Sequence, residues 1–331
     1  MKKFMKVCGI TALIFIVVGL ILAFAAGTTE GAAAIRDAVS EATNGKVQIN
    51  LNGIGDWGIH IAEGAEQWTD GVMDGIEDWE DTVNYDIEKA MVFDDGFELF
   101  SGDVEKEFAA TEIQELDVEV GGCSFTIEES SDDRFYVEAE GMKKFQTYVK
   151  GDCLFIKGTV KAVVGDKIDG NVVLKVPAGF NFEKLDMEIG AGVMELGEVS
   201  AKKIDLEVGA GQIIADKAIC EDLMVMVGMG EARMYDMQVA KFDAEVGMGN
   251  IYAKGNVSEK VIVECAMGNV ELELAGKQED YDYSIECGMG NVTVGGNTYS
   301  GLAKEKDISN GADRKMDVEC AVGNIDIQFK D

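Results

Sequence analysis

Proline occurs once and histidine once in the 331 residues. A single imidazole, His60, excludes the His-rich zinc sites and every mechanism that needs two imidazoles. One proline set against 40 glycines describes a chain that turns by backbone freedom, not by rigid kinks. Basic residues are also scarce. Against 29 Lys and Arg stand 62 Asp and Glu, a net charge of −33 and a pI near 4.3. A surface this acidic repels phosphate backbones, which excludes nucleic-acid partners. Apolar residues, at 47%, suffice for a core and exclude wholesale disorder.

Lys2, Lys3 and Lys6 precede a run without charge from Val7 to Ala26. At ~1.5 Å per residue this run matches the ~30 Å hydrocarbon core of a bilayer. Lysines before it and Glu30 after it orient the N-terminus inside and the remainder outside. The alternative is a cleaved signal peptide, because Ala23-Phe24-Ala25 fits a cleavage site. The run exceeds the usual signal core, so residues 1–26 are expected to be a retained single-pass anchor in the cell membrane. Either reading exports the rest of the chain.

The exported part divides by charge. Residues 27–115 carry 22 acids and 4 bases, whereas 116–331 carry 40 acids and 22 bases. The first reads as an acidic spacer and the second as the folded domain. Within the spacer lie the only three tryptophans, Trp57, Trp68 and Trp79. Ile61, Val72, Ile76, Val83 and Ile87 fall between and after them at helical intervals, predicting an amphipathic helix over about 56–88. Gly64, Gly71 and Gly75 weaken it. From Asp56 to Glu88 there are eleven acids and no Lys or Arg, so this stripe suits protein better than anionic lipid. It would either cover the open end of the folded domain or bind another envelope protein.

An internal repeat decides the fold class. Eight segments align: Leu116–Cys123, Leu185–Gly192, Ile204–Gly211, Leu223–Gly230, Phe242–Asn250, Val261–Asn269, Tyr283–Asn291 and Met316–Asn324. From 185 to 261 they recur every 19 residues. Positions 1, 3 and 5 are mostly apolar while 2 and 4 are usually acidic, a strand with one buried face. A Gly-x-Gly turn and a second alternating strand follow. Such a coil cannot bury its own face, but stacked coils share a continuous core. The expectation is an all-β, parallel β-helix-like β-solenoid of ~19-residue coils over 116–331, preceded by the transmembrane helix and the acidic, partly helical spacer. The stretches 128–180 and 295–315 depart from the period. Gly192, Gly211, Gly230, Gly249, Gly268, Gly290 and Gly323 share one turn position, which predicts φ > 0 there. Asn250, Asn269, Asn291 and Asn324 follow four of them and could hydrogen-bond from coil to coil. No helix pattern follows these turns, so they are read as structural and not as phosphate cradles.

These strand–Gly-x-Gly–strand units, led by Val172-Val-Leu-Lys-Val-Pro-Ala-Gly-Phe180, resemble the bacterial putative-adhesin or "toast-rack" domains of unknown function. The resemblance spans about 116–331. It implies an extracytoplasmic β-solenoid, often membrane-tethered, associated with the cell envelope or its stress sensing. It carries over no catalytic residues.

Candidate chemistry is sparse. Cys8 lies in the apolar run; Cys265, Cys287 and Cys320 hold repeat position 5, where other units have Val or Ile. Core thiols are therefore expected, with disulfides and a metal site as alternatives. Glu119, Glu188, Glu207, Glu245, Glu264, Glu286 and Glu319 share position 4 and should form an outward column. Coils stack ~4.8 Å apart, so neighbouring carboxylates repel. Lys202, Lys203, Lys241 and Lys260, solvent, or calcium on Glu207, Glu245, Glu264 and Glu286 would offset this. No other cofactor is implied. A regular column is repeat geometry and not an acid/base pair. Arg233 is an isolated basic intrusion in a second strand. Together these features predict a membrane-anchored, non-catalytic envelope protein that binds a surface ligand or senses stress. The alternatives are a polysaccharide-active β-helix enzyme and a purely structural stalk.

Overall fold

The computed structural model describes residues 47–51, 57–61, 91, 93–160, 170–288, 290–300 and 304–330. The expected membrane segment 1–26, Trp68 and Trp79 lie outside them. The chain divides into two units, Met1–Val83 and Asn84–Asp331. In the first, Val47–Leu51 and Trp57–Ile61 form an antiparallel pair, with Trp57 opposite Leu51. The start of the segment read as helical is thus a strand. Trp57-Gly-Ile-His-Ile alternates with period two, and that pattern wins over the helical spacing. The remainder of 56–88 lies outside the described residues. Among the described residues no helix is long and apolar enough to cross a membrane.

The second unit is the expected stack of parallel coils. Along the first strand of each coil the paired residues run Leu154, Leu116, Leu185, Ile204, Leu223, Phe242, Val261, Met316, Tyr283. Along the second they run Val172, Phe125, Met194, Ile213, Ala232, Ile251, Val270, Ile325, Val292. Every residue in both series is buried and belongs to one continuous hydrophobic cluster. Alternation in the sequence becomes in–out alternation in the coil, and stacking closes the core that a single coil could not.

Rung order departs from chain order at both ends. The first coil, from Glu115–Gly121 into Cys123–Glu129, lies between Cys153–Val160 with Gly170–Val176 and the coil beginning at Phe182. The last, Arg314–Cys320 and Asn324–Lys330, lies between the Val261 coil and the Tyr283 coil. Each terminal rung is therefore an internal piece of chain held at both of its ends, which resists fraying.

The two stretches that break the period, joined by Phe100–Ala109 from the segment read as spacer, make the ends. Arg134–Lys150 runs antiparallel to both Cys153–Val160 and Gly170–Val176, and Phe100–Ala109 pairs antiparallel outside it. At the far end Lys304–Ile308 runs antiparallel to Tyr281–Cys287, and Asn297–Ser300 to Asn291–Val294. Parallel rungs thus meet short antiparallel strands instead of ending in open ladders. Phe135, Phe180 and Phe182 meet edge to face at the first end. The first coil in sequence is thus not the outermost one.

The turn glycines are needed for a different reason from the one expected. Of the seven, only Gly192 has positive φ (111°). A Cβ on Gly249 would lie 2.2 Å from the Gly230 carbonyl oxygen and 2.6 Å from Val227 of the coil beneath. On Gly268 it would lie 2.2 Å from Gly249 O and 2.3 Å from Val246. The position-5 side chain of one coil fills the space under the turn of the next, so close stacking and not handedness demands glycine. The first glycine of the turn is less confined. Gly247 would place a Cβ 3.0 Å from Gly228 O, and two coils carry Ala266 and Ala321 there.

Candidate ligand-binding face

The outward residues of the first strands form three columns. The Glu column runs Lys157, Glu119, Glu188, Glu207, Met226, Glu245, Glu264, Glu319, Glu286, Glu305. Lys157 closes one end, 3.5 Å from Glu119 and 3.4 Å from Asp94. Beside it runs an Asp column, which two of the expected lysines serve. Lys203 lies 2.8 Å from Asp205 and Lys260 2.8 Å from Asp317. Lys241 lies 3.1 Å from Asp222, which stands in the lysines' own column, and Lys202 reaches Glu183 at 2.5 Å. The lysines expected to offset the Glu column therefore pair with other carboxylates.

The column's electrostatics follow. Shielding from water by the surrounding sheet, and then the charges on Glu207 and Glu119, push the Glu188 carboxyl up to about 7. Glu207 is raised by shielding and then by Asp186, and Glu245 by shielding and then by Glu264. Ladder spacing spreads these carboxylates along the solenoid. Among the described residues no three Asp, Glu, Cys or His side chains converge to hold a metal.

The second strands present another surface. Register places Glu231, Asn250, Asn269, Asn324 and Asn291 in one column. Among the described residues one asparagine pair of this column links adjacent coils, Asn291 Nδ2 donating to Asn324 Oδ1 at 3.0 Å at the far end. The next column is Ile214, Arg233, Tyr252, Glu271 and Asp326. An open groove of about 460 Å³ lies across these columns, lined by Glu231, Arg233, Tyr235, Asn250, Tyr252, Asn269 and Glu271 among others. Arg233 is therefore not isolated. Its Nε and Nη2 donate to the two carboxylate oxygens of Glu231 at 2.5 and 3.1 Å. Gln212 Nε2 donates to the same carboxylate at 2.5 Å. The guanidinium holds Glu231 below the usual carboxylate range, with Gln212 adding to it. Glu231 first, then Tyr235, keep Arg233 firmly protonated. Tyr235 is 46% exposed, and its ring centroid lies 6.3 Å from that of Tyr252, the planes tilted by 57°.

The groove was missed because Arg233 was weighed alone. Tyr252 and Glu271 follow it at the repeat spacing, so the same 19-residue offset that defines the fold stacks all three on one face. None of the six described cysteines is joined in a disulfide. Cys265, Cys320 and Cys287 occupy successive rungs, buried under the turns, as expected of core thiols. Cys320 Sγ donates to Gly323 O at 3.2 Å and Cys287 Sγ to Gly290 O at 3.2 Å.

Residues 157–328 match the Toastrack DUF4097 domain. Three solved structures resemble the chain. One is a putative cell adhesion protein from Clostridium sporogenes, 15% identical, covering 69% of this chain and 99% of its own, with a TM-score of 0.31. Another is a putative adhesin from Bacteroides fragilis, 12% identical, covering 68% and 96%, with a TM-score of 0.38. The third is a putative lipid binding protein from Parabacteroides distasonis, 14% identical, covering 68% and 98%, with a TM-score of 0.31. No curated protein matches the sequence significantly.

Proposed function

Because the chain belongs to the Toastrack DUF4097 family, we propose that it is an extracytoplasmic β-solenoid of the cell envelope that acts by binding, without chemistry. Residues 1–26 tether it to the membrane with the N-terminus inside. The observation that carries this reading is the groove at Arg233. It sets an exposed Tyr235 beside a half-buried Tyr252, and a fixed guanidinium–carboxylate fork, into an otherwise repetitive polar surface. An exposed aromatic ring costs apolar surface in water, and such rings in polar surroundings mark binding sites. Occupancy of a tethered solenoid serves adhesion, or reports envelope stress to a partner.

The test uses intact cells expressing the full chain with a C-terminal epitope. Added protease should remove the epitope without lysis, and deletion of residues 2–26 should abolish export. An epitope that resists protease until the cells are lysed would overturn the reading. Cell-to-surface attachment, measured with and without the protein, then separates adhesion from stress sensing.

A further inference from the structure

From the groove's chemistry we propose that it binds a neutral oligosaccharide, which rests on the binding reading above and names its ligand class. Three features point to this class. The first is charge. Glu231 neutralises Arg233 within hydrogen-bond distance, leaving Glu271 as the one remaining charged group lining the groove. An anionic ligand would meet that carboxylate and the field of a strongly acidic chain. A cationic one would find a single unengaged carboxylate, Glu271, because Glu231 is already held by Arg233 and Gln212. An uncharged ligand meets no repulsion and can use the groove's amides and hydroxyls.

The second feature is the tyrosine pair. Pyranose rings carry an apolar C–H face and a rim of hydroxyls. Tyr235 and Tyr252 offer tilted ring faces on neighbouring coils for the first, with phenolic hydroxyls for the second. The third is the free polar rim. Among the described residues no hydrogen bond or ion pair engages the side chains of Asn250, Asn269 or Glu271. Amides that both donate and accept suit hydroxyl groups, which do the same. Gln212, Glu231 and Arg233 hold one another in place, so one wall of the groove is ordered before any ligand arrives. About 460 Å³ falls within the range of small-ligand sites. Because the columns run from coil to coil, a saccharide chain would lie along the solenoid with successive sugars over successive rungs.

Calorimetric titration of the full chain in detergent micelles with cellohexaose, maltohexaose and chitohexaose tests this, with oligogalacturonate as the anionic comparator. At least one neutral hexaose should bind. Tyr252→Ala and Tyr235→Ala should each weaken it about tenfold with the melting temperature unchanged, and Tyr252→Phe should retain most of the affinity. The proposal is overturned if no neutral hexaose binds, if the Tyr235→Ala/Tyr252→Ala double variant binds as tightly as the parent, or if oligogalacturonate binds more tightly than all three. Cell attachment separates this failure from that of the broader reading. Attachment that depends on the protein but not on the two tyrosines leaves the binding function standing and removes the saccharide site.

Discussion

Between Phe182 and Ala275 each rung repeats its neighbour in parallel at a 19-residue offset, apart from a local shift where Met237–Val239 pair with Gly255–Val257. At the two ends the pairing becomes antiparallel and the chain order is broken. The middle is built from similarity between neighbours: apolar side chains stack on apolar ones in the core, and the turn must be thin enough to let the next coil approach. The ends are built from difference, because a rung identical to the last would invite another. A solenoid's repeat therefore encodes stacking, and its irregular stretches encode where stacking stops.

The sharpest way to break the middle is to thicken its turn. Gly249→Val places a branched side chain where a Cβ alone lies 2.2 Å from Gly230 O. Backbone cannot move aside without opening the ladder on both sides, so a loss of about 3 kcal/mol or more is expected. Gly247→Ala should cost less than about 1 kcal/mol, since Ala266 and Ala321 already stand at that position. Denaturation midpoints of the two variants check the contrast. Equal losses would mean that the two turn positions are equally confined.

Breaking an end should show in association more than in stability. Deleting Asn297–Ile308 leaves Tyr281–Cys287 and Asn291–Val294 with unpaired edges. Open parallel edges pair with further chains, so sedimentation should find concentration-dependent oligomers where the parent shows none. A variant that sediments like the parent at every concentration would show that these strands are not the stop.

A milder substitution asks whether the thiol rungs differ from the middle. Position 5 is Val246 in one coil and Cys265, Cys320 and Cys287 in the three stacked beyond it. Cys265→Val adds about one methyl group but restores the side chain that the central turns already accommodate, so it should change stability by less than about 1 kcal/mol. A larger loss, read from the denaturation midpoint, would give the thiols a role beyond packing.

What was legible follows the same division. The alternation in Phe242-Asp-Ala-Glu-Val identified which residues face the core, and the 19-residue spacing identified which residues stack. The stretches 128–180 and 295–315 stood out as departures, and they contain the capping strands except Phe100–Ala109, which the charge division had put in the spacer. Rung order was not legible. Met316 aligns with Val261 and with Tyr283 equally well, because a repeat states what a rung is and not where it stands. The turn glycines were recognised for the wrong reason. A shared Gly suggests φ > 0, but a Cβ collision with the coil beneath leaves the same trace in sequence. Arg233, Tyr252 and Glu271 were spaced by the repeat, yet their types differ, so similarity did not link them. Trp57 was assigned by its eleven-residue spacing to Trp68, whereas the local alternation from Trp57 to Ile61 fixed its backbone.

The smallest effect concerns the cost of identity itself. Stacking like on like puts Glu119, Glu188 and Glu207 on adjacent rungs, and like charges directly opposite destabilise a ladder. Glu188 bears this most clearly, its carboxyl raised to about 7 by shielding and then by Glu207 and Glu119. The folded chain therefore holds this proton more tightly than the unfolded chain does. Between the ordinary glutamate value and about 7 the native state binds more protons, so this group's contribution falls as pH rises. Solvent reaches the side chain and screens much of the repulsion. Relative to the parent, Glu188→Gln should gain melting temperature from pH 5 to pH 8, with the difference smallest at the acid end. Met226 supplies the complementary test, since it is the one apolar rung between Glu207 and Glu245. Met226→Glu would join the two halves of the column and should lose melting temperature over the same pH rise. If both variants track the parent at every pH, the column is fully screened by solvent and its regularity costs the fold nothing.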